Sequence, residues 1–293
     1  MKKAILISTI LVFASISFAQ TADLKQQIER IISDKKATVG VAVLGIENGD
    51  TFTINNAHHY PMQSVFKFHL GLAVLNAVDK GKFKLDQKLF VSKKDLVLDM
   101  YSPLREKYPK GDTALPLKEI LSYTVSESDN TGCDFLFQLI GGPTKVNHYI
   151  HSLGIQQINI VADEATMHKD DQVQYTNWTT PLASVQLLEK FYHNKILSKE
   201  STTFMWQLLT ETSTGTKRLK GLLPTNAIVA HKTGSSGIDK NGLTAASNDI
   251  GIVTLPNGKH FAIAVFVSDS SENIETNELI IAEISKAVWE RYK

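Results

Sequence analysis

The chain has 293 residues, of which 43% are hydrophobic and 21% are charged, and its formal net charge at pH 7 is +1. A near-neutral chain without basic runs gives no reason to expect nucleic acid or an anionic membrane as a partner. The length and apolar content allow a sizeable core, in one large domain or two closely packed ones.

The first nineteen residues have the pattern of a signal peptide. Two lysines precede an apolar run over residues 4–13, and the small residues Ser17 and Ala19 suit cleavage after Ala19. A membrane anchor would need about 20 apolar residues, and this run is shorter and followed by polar side chains. We therefore expect export to the periplasm, removal of residues 1–19, and no membrane association afterwards.

Cysteine and histidine usage gives no sign of a disulfide or a metal. Cys133 is the only cysteine, so no internal disulfide can form, and its apolar surroundings "GCDFLFQLI" indicate a buried hydrophobic residue. The nine histidines form no recognised zinc spacing with it. We expect neither a metal nor another cofactor.

The predicted elements begin with a helix on which Leu24, Ile28 and Ile32 recur at helical spacing. "TVGVAVLGIENGDTFTIN" then predicts two strands joined by a turn at Asn48-Gly49. "SVFKFHLGLAVLNAVDKG" is apolar on nearly all sides and ends at Gly81, which indicates a buried helix. Further helical patterns cover residues 117–124, 131–140, 144–152, 182–194 and 199–209.

The last part of the chain returns to strands. "NAIVAHKTG", "NDIGIVTLPNG" and "KHFAIAVFVSDS" are β-rich, with a turn at residues 256–258 between the last two. The chain ends in a helix with Ile280, Ile284 and Val288 on its inner face.

This order predicts an α/β part plus an all-α part. We expect an antiparallel five-stranded sheet flanked by helices, with a helical domain inserted between its two halves. We assign residues 20–58 and 211–293 to the α/β domain and residues 59–210 to the inserted domain. A cleft between the two parts is the expected place for a site.

Ser64 and Lys67, in "SVFK", open the buried helix three residues apart, so the hydroxyl and the ammonium share one face. A helix N-terminus favours negative charge at the Ser64 oxygen, and a desolvated Lys67 could take its proton. Taken alone, a serine here more often marks a helix N-cap, and "SDKK" at residues 33–36 has the same spacing.

Two tripeptides strengthen the pattern. "SDN" at residues 128–130 lies in a break between helices, and "KTG" at residues 232–234 ends a strand. The three motifs, in this order and in these contexts, resemble the serine penicillin-recognising enzymes, and specifically the class A β-lactamases. The resemblance covers essentially the whole chain after residue 19.

The resemblance implies a set of catalytic roles. Ser64 would be the nucleophile that opens the β-lactam ring, and the backbone N–H groups of Ser64 and Ser235 would form the oxyanion hole. Ser128 would pass a proton to the leaving lactam nitrogen, with Lys67 and Lys232 holding the local charge.

It also implies substrate contacts. Thr233, Ser235 and Lys232 would receive the substrate carboxylate, and Asn130 would hydrogen-bond the side-chain amide of the substrate. Tyr101, in "DMYSP", would border the cleft and pack against the ligand.

In "VADEATMHKD", the resemblance makes Glu164 the general base that activates a water to hydrolyse the acyl-enzyme. Whether Glu164 or Lys67 takes the proton in acylation stays open. A metal site on Glu164 and His168 would need a third ligand, and nothing nearby has a recognised spacing. Asp163, Asp170 and the residue after it are interpreted as polar loop residues.

Several positions depart from the commonest pattern of the family. His168 stands where an Asn usually helps hold the water, so it is our candidate for positioning that water. Ala162 and Asn177 replace the usual Arg–Asp ion pair of this loop, and Ala165 replaces a Pro. We therefore expect other contacts to hold the loop.

These departures resemble the extended-spectrum branch typified by the PER enzymes, as do Gln63 and "HKTGSSG". That branch hydrolyses bulky oxyimino-cephalosporins, and the implied function is antibiotic resistance by a monomeric enzyme. Arg218 could supply the guanidinium for the substrate carboxylate, because the strand "NDIGIV" has no Arg. A surface arginine beside Lys217 and Lys220 is the alternative for Arg218.

Three other functions fit part of the pattern. A penicillin-binding peptidase shares the three motifs but lacks the Glu164 loop, so its acyl-enzyme would persist. A sensor domain would hold penicillin without turnover and would be joined to a membrane span. A glutaminase-like serine hydrolase would share only the Ser64–Lys67 pattern.

Overall fold

The computed structural model describes residues 23–96 and 99–293. The predicted signal peptide lies outside the described residues. Within these ranges, none of the helices has the length and apolar character needed to cross a membrane.

Ten helices, labelled in chain order, make up the helical part of the described chain. They are α1 (23–32), α2 (Phe66–Asp79), α3 (Pro103–Lys107), α4 (Leu117–Ser126), α5 (Asn130–Ile140), α6 (Pro143–Ser152), α7 (Glu164–Lys169), α8 (Pro181–Tyr192), α9 (Lys199–Thr210) and α10 (Ile274–Tyr292). Short 3₁₀ turns cover Gln63–Val65, Lys93–Asp95 and Val173–Thr176.

The strands of the described chain are β1 (Thr38–Gly45), β2 (Thr51–Ile54), β3 (Tyr60–Pro61), β4 (Lys88–Val91), β5 (Thr113–Pro116), β6 (Ile158–Asn159), β7 (Trp178–Thr179), β8 (Ile228–Ser235), β9 (Thr244–Thr254) and β10 (His260–Ser270). Five of them form the main sheet in the order β2-β1-β10-β9-β8, and every neighbouring pair is antiparallel. The predicted antiparallel five-stranded sheet is therefore confirmed.

The sheet has helices on both faces because successive side chains of its strands point to opposite faces, and both faces carry apolar residues. Val39, Val41 and Val43 of β1 pack with α1 and α10, while Ala42 and Leu44 face the helices of the middle of the chain. The hydrophobic cluster around Ala42 and Leu44 is the larger of the two and includes side chains from both the sheet and the middle helices. The domain boundaries proposed from the sequence stay a prediction.

The middle of the chain is less purely helical than predicted. It contains a three-stranded sheet, β3-β7-β6, and the antiparallel pair β4-β5. The strands β3, β6 and β7 have two residues each and no measurable periodicity, so the sequence pattern could not reveal them. Cys133 is fully buried in α5, as predicted, and burial raises the pKa of its thiol.

Candidate active site

Ser64 lies in the 3₁₀ turn Gln63–Val65 and precedes α2, instead of forming the first turn of that helix as predicted. The reason is local, because Gln63 has a left-handed backbone (φ 47°) that makes the chain enter α2 through a tighter turn. Lys67 still follows one turn later and is fully buried.

Lys67 is the centre of the site. Its Nζ lies 3.0 Å from Ser64 Oγ and 2.8 Å from Glu164 Oε1. The same ammonium donates to the Ser128 carbonyl at 2.7 Å and to Asn130 Oδ1. The structure therefore brings together the nucleophile candidate, two of the "SDN" residues and the glutamate predicted as general base.

The break between α4 and α5 presents Ser128 and Asn130. Ser128 has a left-handed backbone (φ 59°), and the buried Asp129 carboxylate caps α5 by accepting from Gly132 N at 2.6 Å. Asp129 also accepts from Leu104 N and Ser102 Oγ. Burial outweighs these hydrogen bonds and raises the pKa of Asp129.

Lys232 reaches the same serine from β8. Its Nζ donates to Ser128 Oγ at 2.9 Å, and the side chain is fully buried. Burial, with the Lys67 cation nearby, holds the pKa of Lys232 well below its ordinary value. Ser128 thus lies between two lysines, which suits a proton relay.

β8 approaches the nucleophile turn closely at Gly234. A Cβ on Gly234 would lie 2.3 Å from the Met62 carbonyl oxygen, so only glycine fits at this position. Asn248 Nδ2 donates to the Pro61 carbonyl at 2.8 Å and ties β9 to the same segment.

Arg218 is buried, with 6% of its surface exposed, and is not a surface arginine. Its guanidinium donates to Ser235 Oγ at 2.7 Å and to the carbonyls of Gly234 and Asn248. Its Nε lies 3.4 Å from Glu278.

Thr233, also on β8, forms a hydrogen bond of 2.6 Å through its Oγ1 with the Thr214 hydroxyl.

The loop of Glu164 is held by an aspartate and an asparagine. Asp134, on α5, accepts from the N–H groups of Glu164 and Ala165 at 2.8 and 2.9 Å. Asn177 accepts from Val161 N and Ala162 N and donates to the Ala162 carbonyl. These are the replacement contacts that the departures in the sequence required.

The sequence reasoning did not single out Asp134. Burial, together with the nearby Asp163 and Glu164 charges, raises its pKa to about 7, although two N–H donors oppose this. A carboxylate inside the apolar run of α5, one helical turn after Asn130, was a signal that a polar partner must exist.

Two candidates stand at the edge of the site. His168 is exposed, and within the described residues its side chain makes no hydrogen bond. Tyr101 is 54% exposed, and its carbonyl accepts from Asn130 N at 3.1 Å. Burial and the Glu127 and Asp129 charges raise the pKa of Tyr101.

A cavity of about 590 Å³ opens in front of these groups. Ser64, Asn130 and Glu164 line its floor, residues 171–175 contribute to one side, and residues 236–243 contribute to the other. In the part of the chain that the structure describes, no three His, Cys, Asp or Glu side chains are placed to hold a metal ion.

Comparisons with known proteins agree with this geometry. A family model described as the beta-lactamase enzyme family matches residues 23–292. The chain is 48% identical to Beta-lactamase VEB-1 of Pseudomonas aeruginosa, over 99% of this chain and 98% of the relative. It is 46% identical to Extended-spectrum beta-lactamase PER-1 of the same organism, over 99% and 94% of the two chains.

A crystal structure of the TLA-1 extended-spectrum beta-lactamase is similar to this chain with a TM-score of 0.91 and 59% identity. The match covers 92% of this chain and 98% of that one.

Proposed function

The chain belongs to the β-lactamase enzyme family and, within it, to the class A serine enzymes of the PER branch, and on this premise we propose that it hydrolyses β-lactam antibiotics through an acyl-enzyme on Ser64. One observation carries the proposal: Lys67 Nζ lies within 3.0 Å of Ser64 Oγ and within 2.8 Å of Glu164 Oε1.

In acylation, Ser64 Oγ forms a bond to the lactam carbonyl carbon and its proton would leave through Lys67, 3.0 Å away, or through Glu164, which contacts Lys67 at 2.8 Å. The carbonyl oxygen gains negative charge, and the N–H groups of Ser64 and Ser235 would stabilise it. When the C–N bond breaks, Ser128 would protonate the lactam nitrogen. The contact of 2.9 Å with Lys232 supports that role.

Substrate binding is assigned to the end of β8. The substrate carboxylate would be received by Lys232, Thr233 and Ser235, with Arg218 directing the Ser235 hydroxyl through its contact of 2.7 Å. Asn130 would bind the side-chain amide of the substrate, and the exposed ring of Tyr101 would pack against the ligand.

Deacylation is assigned to Glu164, which would remove a proton from a water that attacks the ester on Ser64. Its carboxylate borders the cavity and contacts Lys67. His168 follows on α7 four residues later and also borders the cavity, so it is proposed to contact that water.

We infer further that the substrates include cephalosporins with bulky side chains, since the similar PER-1 and TLA-1 proteins are named extended-spectrum enzymes and a cavity of about 590 Å³ opens at Ser64. The physiological consequence would be antibiotic resistance in the periplasm, by a monomer that binds neither nucleic acid nor membrane after the signal peptide is removed.

A trapping experiment tests the mechanism. Glu164→Gln should still acylate but not deacylate, so mass spectrometry should detect an accumulated covalent β-lactam adduct. The wild-type protein should hydrolyse nitrocefin with EDTA present. Ser64→Ala should show no adduct, and Glu29→Gln, at an exposed position of α1, should behave as wild type. Normal turnover by Glu164→Gln would refute its role, and inhibition by EDTA would refute the serine mechanism.

The same experiment separates the alternatives. A penicillin-binding peptidase or a sensor would retain the adduct in the wild-type protein as well. The ranking of ceftazidime, benzylpenicillin and a carbapenem by kcat/KM would then define the substrate spectrum.

A further inference from the structure

The chain segment after α7 forms the outer part of the Glu164 loop. The contacts of Asp134 and Asn177 hold the two ends of this loop, but they involve no side chain of the 3₁₀ turn Val173–Thr176, which ends immediately before Asn177. This turn is held by separate contacts, among them a hydrogen bond of 2.8 Å from Asn159 Nδ2 to the Thr176 carbonyl.

Two consecutive side chains of the turn reach across to other elements. Tyr175 donates its hydroxyl to Asp269 Oδ1, on β10, at 2.7 Å. Gln174 Oε1 accepts from Gln63 Nε2, in the turn that carries the nucleophile candidate. The two pairs connect residues that are 94 and 111 positions apart in the sequence.

Both anchor residues have unusual backbones. Gln63 and Asp269 have φ values of 47° and 49°, a region that non-glycine residues enter at a cost. Such conformations persist where surrounding contacts fix them, so the hydrogen bonds with Gln174 and Tyr175 are part of a fixed arrangement.

The turn forms a wall of the cavity. Gln172, Gln174 and Tyr175 line it on this side, and Gln63 lines it next to Ser64. A small displacement of residues 172–175 would therefore change the width of the cavity while leaving the contacts of Lys67 untouched.

We propose that the Tyr175–Asp269 pair is a latch that keeps this wall in its open position, and so determines whether β-lactams with bulky side chains are accepted. This inference rests on the proposed function. Tyr175 would act by positioning residues 172–175, and the hydrogen bond to Asp269 would leave acylation of Ser64 and deacylation by Glu164 to the groups described above.

Loss of the hydrogen bond is proposed to narrow the cavity, because Gln172, Gln174 and Tyr175 line it. Without the hydrogen bond, the turn gains conformational freedom and partly occupies the cavity, which a bulky side chain must then clear before binding. The loss appears in KM more than in kcat, and it grows with the size of the substrate side chain.

The test compares Tyr175→Phe with Tyr149→Phe, a partly buried tyrosine on α6 that is remote from the cavity and serves as the control. For Tyr175→Phe, the ratio of kcat/KM for ceftazidime to that for benzylpenicillin should fall about fivefold to tenfold, the effect of losing one hydrogen bond. Hydrogen exchange of residues 170–176 should become faster. Tyr149→Phe should change neither quantity.

Asp269 provides the second arm of the test. Asp269→Asn keeps an acceptor for the Tyr175 hydroxyl and tolerates the left-handed backbone, so it should retain the wild-type ratio, while Asp269→Ala should lower it. An unchanged ratio of kcat/KM for ceftazidime to that for benzylpenicillin in Tyr175→Phe would refute the proposed role of the Tyr175–Asp269 pair. A fall in KM for ceftazidime would refute it as well. Failure of the wild-type enzyme to hydrolyse any β-lactam would instead overturn the proposed function, and the hydrogen exchange result would still decide whether the pair holds the turn.

Discussion

At the scale of single residues, the site contains buried ionisable side chains whose charges are compensated in different ways. Lys67 is paired with Glu164, and Lys232 donates to Ser128. Asp134 differs, because it is a buried carboxylate whose nearest charges, Asp163 and Glu164, are also negative. Burial, together with these like charges, raises its pKa to about 7, and two backbone N–H donors only partly oppose this shift.

The raised pKa of Asp134 predicts a pH dependence of stability. A carboxyl group whose pKa is higher in the folded state stabilises the fold fully below its unfolded pKa of about 3.8, and this contribution is lost as the pH rises through about 7. Asp134→Asn is neutral throughout. The stability of wild type relative to Asp134→Asn should therefore fall by about 2–4 kcal/mol between pH 4 and pH 8.

Thermal or denaturant unfolding of both proteins across this pH range checks the prediction. Asp23→Asn, at an exposed position of α1, is the control and should track wild type at every pH. A constant difference between wild type and Asp134→Asn would show that Asp134 keeps an ordinary pKa.

At the scale of elements, the contact of β8 with the nucleophile turn sets the geometry of the site. Gly234→Ala would place a Cβ 2.3 Å from the Met62 carbonyl, which β8 or the turn must move to avoid. We expect unfolding free energy to fall by about 1–3 kcal/mol and the acylation rate of Ser64 to fall as well.

Gly237 supplies the matched control, because a Cβ there meets nothing within 4 Å. Urea unfolding of the two alanine variants should differ, with Gly237→Ala close to wild type, and single-turnover acylation by Gly234→Ala should be slower than that by wild type. If Gly234→Ala acylates as fast as wild type, the close approach of β8 is not needed for catalysis.

The elements also show what the sequence could predict. The hairpin at Asn48-Gly49, the main strands and α10 were predicted because their signals are local in the chain. The left-handed Gln63 and the short strands β3, β6 and β7 were not, since no local sequence signal marks a left-handed glutamine and a strand of two residues has no periodic pattern. The same distinction applies to the site, where motifs identified Ser64 and Lys67 but carry no information on Asp134.

At the scale of the whole molecule, a polar cluster connects one end of the sheet to the helices of the middle of the chain. His260, at the start of β10, has its Nδ1 atom 2.9 Å from both the Glu47 carboxylate and the Tyr192 hydroxyl. The His260 backbone N–H also donates to Glu47 at 2.8 Å. Burial opposes ionisation of Glu47, but these hydrogen bonds prevail and lower its pKa.

A lowered pKa means that Glu47 stabilises the fold above its ordinary pKa of 4.5 and loses this effect as the pH falls. Glu47→Gln should cost about 0.5–1 kcal/mol at pH 7, a small value because solvent screens the partly exposed pair. The difference from wild type should narrow in unfolding experiments below pH 4. Equal differences at pH 3.5 and pH 7 would exclude an ionic contribution.

The burial of Cys133 has a practical consequence for following the enzyme in solution. The Cys133 thiol is buried in α5, and the chain has no second cysteine. A cysteine introduced at the exposed position of Gln172 would therefore be the one thiol accessible to a maleimide dye. The emission of that dye could then record movement of the cavity wall during a single turnover, with the unmodified protein as a blank.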